Sequence, residues 1–310
     1  MKTLKLIFAF LLFATLLGCG GGGGGATGGE NPQFTVYEKT ITSFDTSSHP
    51  LTAPRLMTVS SAGLLTVAEQ ASIVTFNTTN GSVASTYAVS NPFGVAVKPG
   101  TNDVYYTGGA NSNQGVFVNG NQVPIPSTNA NLYGIAFATS QDWYVADVAG
   151  SLLIYQNNSR GNPTSVPVPT GLPSALVSNN GLIYVSLAGA HASILSFNPA
   201  NASDPINHGF TTLLSWGTFD FPNGLAVDGD YAYIANAGDA HGDNGYISRV
   251  KISNGTKEVF ASNSVGIWRT TGVGFCGPAG LAIYNKYLYV SNGTCTSGIN
   301  QNQILKINLQ

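Results

Sequence analysis

The stretch FPNGLAVDGDYAYIANAG, residues 221–238, holds two short apolar runs separated by Asp-Gly-Asp. Runs this short, rich in Leu, Val, Ile and Tyr and bounded by a turn dipeptide, read as paired strands. The phrase then recurs along the chain. APRLMTV (53–59), NPFGVAV (91–97), NLYGIAF (131–137), LPSALVS (172–178) and GPAGLAI (277–283) align beneath FPNGLAV (221–227). A second run follows each: GLLTVAE, DVYYTGG, DWYVAD, LIYVSL, YAYIAN and YLYVSN. After a polar loop comes a third: SIVTF, GVFV, SLLIY, SILSF, YISRV and QILKI.

The second positions of the six phrases fall at 54, 92, 132, 173, 222 and 278, so the spacings are 38, 40, 41, 49 and 56. Within the repeats the apolar runs rarely last long enough for a helix, and Gly and Pro interrupt them. A repeat near forty residues with several strands per unit predicts an all-β fold, a six-bladed β-propeller with four-stranded blades. SVASTYAV (82–89) and KEVFAS (257–262) read as fourth strands. Unit six ends at QILKINLQ with no room for one, whereas a spare strand lies in FTVYEKTITSF (34–44). Ring closure removes unpaired edges, so the N-terminal strand is expected to complete the last blade. The glycine of the phrase (Gly94, Gly134, Gly224, Gly280) is expected where backbones approach closely at the channel mouth.

Outside the repeats, Lys2 and Lys5 precede an apolar run from Leu6 to Leu17 that has signal-peptide flanks. It ends in Leu16-Leu17-Gly18-Cys19, which resembles a bacterial lipobox. Residues 1–19 are therefore expected to be a lipoprotein signal ending at a lipidated Cys19, and the Gly-rich residues 20–32 a flexible tether. Residues 33–310 are expected to form the propeller. The resemblance, with Gly20 and not Asp after the cysteine, implies a lipid-anchored protein of the bacterial cell envelope, at the outer membrane, facing the periplasm or the surface. Cys276 and Cys295 remain, and two cysteines in an exported domain are expected to pair, two free thiols being the other reading. Charged residues are 8% of the chain and the net charge is -2. No basic stripe exists to bind nucleic acid. A monomer is expected.

The units resemble NHL and YVTN repeats, and the six-bladed calcium-dependent lactonases and strictosidine-synthase-like propellers. That resemblance covers residues 33–310. In the lactonases a Glu, an Asn and an Asp of the inner-strand phrases hold a divalent cation at the channel mouth. Here the residues after the phrase's second position are Arg55, Phe93, Tyr133, Ser174, Asn223 and Ala279. Asn223 matches; Arg55 and Ala279 stand in the Glu and Asp places. Ca2+ is the ion that Asn223, with Asp239 and Asp243 of the loop GDAHGDNG (238–245), would take.

Loops entering the first strand and those joining the second to the third open on one face, where propellers bind. That face collects Arg55, Phe93, Tyr133 and Asn223, the strand ends Glu69, Asp147, Asn236 and Asn292, loop histidines His191 and His241, and Trp268 with Arg269. Phe93, Tyr133 and Trp268 suit stacking and Arg55 a carboxylate. No G-x-S-x-G elbow, P-loop or haem motif occurs. The expected function is a binding or scaffold module whose top face takes a small-molecule or protein ligand. A lactonase-like or lyase-like, metal-assisted enzyme at the channel mouth is the alternative.

Overall fold

The computed structural model describes residues 41–109, 115–123, 131–159, 161–188, 192–204, 206, 208–214, 222–238, 245–262, 274–295 and 301–310. They form six separate sheets of four antiparallel strands each. Strands A to D run outward in each blade from the innermost. No α-helix occurs among the described residues; one 3-10 turn, Pro199–Asn201, lies in blade four. The chain is a six-bladed β-propeller.

Strand A is Met57–Val59, Val95–Val97, Leu132–Phe137, Leu172–Asn179, Pro222–Asp228 and Pro278–Tyr284 in blades one to six. Both expected fourth strands are present, as Val83–Ala88 and Lys257–Ser262. Blade six takes its outer strand from the N-terminal side: Ile41–Ser43 pairs with Gln303–Asn308, in the register Ile41↔Ile307, Thr42↔Lys306 and Ser43↔Leu305. Residues 34–40 of the expected closing strand lie outside the described residues.

The core consists of six wedges, one between each pair of neighbouring blades. Strand B is covered on both faces, and Trp143–Asp147 and Val104–Gly108 are buried at every residue. The continuous apolar runs in the sequence follow from this two-sided burial. Outer strands alternate instead, as in Val83–Ala88. Among the described residues the wedge between blades one and two is the smallest of the six.

Cys276 and Cys295 form a disulfide with an S–S distance of 2.00 Å and Cα atoms 5.3 Å apart. It ties the segment entering strand A of blade six to the segment leaving strand B, Tyr287–Asn292. Gly293 N–H donates to Gly277 O beside it, at 3.1 Å. Replacing both cysteines by serine is expected to lower stability by about 3 kcal/mol, the loop-closure term for so short a crosslinked loop. Denaturant melts of the oxidised protein and the double variant measure it, and coincident curves would show that the bond does not constrain the unfolded chain.

Candidate functional site

The phrase P-x-G places its x residue on a bulge. In blade five Pro222 pairs with Asn236 and Leu225 with Ile234, so Asn223 and Gly224 face the single residue Ala235. The same shift separates Leu132 from Ile135, Pro173 from Leu176 and Pro278 from Leu281. A bulge re-aims a side chain and adds local twist. All six x residues are half-buried, whereas the residues before and after them are buried in every blade but the first, where Leu56 is half-buried. The x side chains thus form a ring around the channel mouth.

Crowding holds that ring together, as the glycines foretold. A Cβ on Gly94 would stand 2.1 Å from Tyr133 O of the next blade. On Gly134 it would stand 2.4 Å from Ser174 O, on Gly224 2.3 Å from Ala279 O, and on Gly280 2.3 Å from Arg55 O. Each glycine packs against the x carbonyl of the blade that follows.

Hydroxyls then pin alternate members of the ring. The strand-B residue opposite the bulge is Thr107, Ser186 and Ser291 in blades two, four and six, all fully buried. It is Ala68, Ala146 and Ala235 in blades one, three and five. Each hydroxyl accepts an N–H of its own bulge: Gly94 N at 2.9 Å, Ala175 N at 2.9 Å and Gly280 N at 2.7 Å. Each also donates to the x carbonyl of the next blade. Thr107 Oγ1 donates to Tyr133 O, Ser186 Oγ to Asn223 O at 3.3 Å, and Ser291 Oγ to Arg55 O at 2.6 Å. The pinned residues are Arg55, Tyr133 and Asn223, which are also the largest polar groups of the ring. Side chains held this way have their backbone fixed before a ligand arrives.

One layer below, Met57, Val95, Ile135, Leu176, Leu225 and Leu281, one per blade, converge as a buried apolar iris. The space left among them is about 20 Å³, room for a single water. Nothing much larger than a water fits among these six side chains.

The ring is asymmetric. The Arg55 guanidinium lies 4.3 Å from the Phe93 ring centroid, and Nη1 donates to Pro92 O at 2.7 Å. Phe93 stacks on Tyr133 with centroids 4.6 Å apart and planes at 25°. Blade order puts Phe93 between the other two, so it supports both. A cation over an aromatic face is worth about 0.5–2 kcal/mol, depending on exposure. Burial lowers the Arg55 pKa, an effect that the Tyr133 oxygen partly opposes. Burial raises the Tyr133 pKa above its usual value, so the phenol keeps its proton at neutral pH. The opposite half holds only Ser174, Asn223 and Ala279, the small and uncharged side.

The strand-B ends expected at the mouth are engaged elsewhere. Glu69 is buried and accepts from His49 Nε2 at 2.7 Å, Thr52 N at 2.8 Å and Ser72 Oγ. Its carboxylate anchors the 45–52 segment. Asp147 accepts from Ala149 N at 3.0 Å, and burial raises its pKa. Asn236 Nδ2 donates to Ser248 Oγ at 3.0 Å, and Asn292 Nδ2 to Gly274 O at 2.6 Å. His191, Asp239, His241, Asp243, Trp268, Arg269 and Cys19 lie outside the described residues.

A divalent cation does not fit the ring as described. Among the described residues no three His, Cys, Asp or Glu come together to hold a metal. Asn223 is the one x residue of the three lactonase places that offers an oxygen ligand, and the first of those places carries the Arg55 cation.

No protein-family model matches the chain, and no curated protein matches it. Solved structures do. The PQQ-bound form of aldose sugar dehydrogenase from Streptomyces coelicolor is 14% identical, with a TM-score of 0.59 over 87% of this chain and 98% of that one. Streptogramin B lyase is 13% identical, with a TM-score of 0.53 over the same shares. The RRP9 WD40 repeats are 10% identical, with a TM-score of 0.57 over 87% of this chain and 97% of that one. Likeness at these identities shows the fold alone, and this fold carries many activities.

Proposed function

We propose that the protein is a lipid-anchored binding module of a bacterial cell envelope, and that it takes its ligand at the channel mouth. The observation that supports this reading is the tripod of Arg55, Tyr133 and Asn223. Each leg has its carbonyl held by the preceding blade, and all three stand above a narrow apolar floor. No side-chain hydrogen bond of Ser174 or Asn223 to the protein occurs among the described residues. These groups are positioned by the fold yet left with bonding capacity, as a recognition surface requires. The lipobox at Cys19 supports the anchor.

A thermal-shift screen of a small-molecule panel tests the site, run on the protein and on the triple variant Arg55→Ala/Tyr133→Ala/Asn223→Ala. A ligand at one hundred times its Kd adds about 2.7 kcal/mol. For a domain of this size that is a rise of about 5–10 °C. The triple variant is expected to lose the rise. A shift that persists in it moves the site away from the mouth. For the anchor, Cys19→Ser should release the protein from the membrane fraction, and continued membrane retention would refute lipidation.

A further inference from the structure

We infer that the ligand is a sugar acid: a hydroxylated ring that carries one carboxylate. This rests on the mouth being the binding site.

The charge comes first. The ion pairs among the described residues are His49–Glu69 and Arg249–Glu258. Arg55, half-buried, has no carboxylate partner among those residues, and no x residue is acidic. One of its N–H groups is used on Pro92 O. The rest of the planar fork is left to bind an oxyanion in two-point fashion. Burial disfavours this cation, so an anion docking here regains an interaction that the protein does not supply.

Phosphate is the competing anion, and the ring is poorly built for it. Phosphate sites draw on clustered backbone N–H groups. The bulge amides Gly94 N, Ala175 N and Gly280 N are already donated to Thr107, Ser186 and Ser291. With the even-blade amides spent in this way, the single guanidinium matches the single charge of a carboxylate better than the charge of a phosphate.

The rest of the ring selects the body of the ligand. Tyr133, one ring face stacked on Phe93, offers the exposed remainder of its half-buried ring and a phenol that stays protonated; Ser174 and Asn223 offer a hydroxyl and an amide. Hydroxyl and amide groups complement sugar hydroxyls, and an aromatic face complements the apolar face of a sugar ring. Ala279, between Asn223 and Arg55 in blade order, leaves the room.

Calorimetric titration of the full-length mature protein in detergent tests the inference. The probes are galacturonate, glucuronate, mannuronate, galactose, benzoate and inorganic phosphate. At least one uronate is expected to bind, with galactose and benzoate each about 10- to 100-fold weaker, the loss of a charge-assisted bond or of the hydroxyl set. Arg55→Gln should cost a similar factor, and Asn223→Ala a smaller one. Affinity should be flat from pH 5 to 9, where Arg55 is charged and Tyr133 neutral, and fall below about pH 4 as the carboxylate protonates. Galactose, benzoate or phosphate binding as well as the best uronate overturns the ligand class and leaves the mouth standing. A uronate that binds equally well to Arg55→Gln overturns both. Failure of all three uronates to bind overturns the class, and the panel screen then decides the mouth independently.

Discussion

Excising residues 33–44 from the full chain is expected to lower the melting temperature of the whole propeller by more than about 10 °C. The described part of that segment does two things. Ile41–Ser43 covers the outer edge of Gln303–Asn308, where Ile304, Leu305 and Ile307 are fully buried. Phe44 inserts edge-on against Phe76 of blade one and Tyr289 of blade six, with centroids 6.0 and 5.6 Å away. Truncating a buried Phe costs about 3–5 kcal/mol. A domain of this size loses about 2–4 °C per kcal/mol. The uncovered strand would also present an unpaired edge, a template for aggregation. Phe44→Ala alone should give part of the loss. Circular-dichroism melts of the three proteins measure it; an unchanged midpoint in the excised chain would mean that the ring holds without its clasp.

Gly94→Ala is expected to cost about 3 kcal/mol or more, from a single methyl. Its Cβ would lie 2.1 Å from Tyr133 O and 3.1 Å from Gly134 Cα, both backbone atoms of the next blade. Backbone cannot rotate away as a side-chain tip can, so the two inner strands must part. That parting would also break the bond from Thr107 to Tyr133 O and displace the phenol. Ligand affinity should therefore fall along with stability. Gly161→Ala is the control, because its Cβ would meet only Ser159 Oγ at 3.7 Å. Equal melting points for the two variants would show that the inner strands are not packed to contact.

The fold was legible in the sequence because one short phrase recurs with its glycine, and because the last unit lacks the strand that the N-terminal side supplies. The ring of x residues followed from the same alignment. What these residues do to one another was not legible. Phe93 reads as one more aromatic, and only three blades side by side make it the layer between Arg55 and Tyr133. Glu69 reads as a mouth carboxylate, but its partners His49, Thr52 and Ser72 are brought to it by the path of the chain outside the blade. The pinning hydroxyls stand in the sequence without declaring their role. VYYTGG, IYVSL and LYVSN carry Thr107, Ser186 and Ser291 where LTVAE, WYVAD and AYIAN carry alanine. A hydroxyl in an apolar strand declares itself as a donor only when the carbonyl it meets is known, and that carbonyl belongs to another repeat.

The alternation of hydroxyl and alanine gives the ring a parity. Arg55, Tyr133 and Asn223 stand in odd blades, and each follows an even blade that carries the hydroxyl. Loss of an odd blade would remove a leg of the tripod. Loss of an even one would leave a leg following an alanine, its carbonyl unheld. Removing two adjacent blades takes one leg away but leaves the others held, and copying two adds a leg that is held in the same way. The smallest self-sufficient piece of this ring is accordingly two blades, one that carries a leg and the one before it that holds the leg's carbonyl.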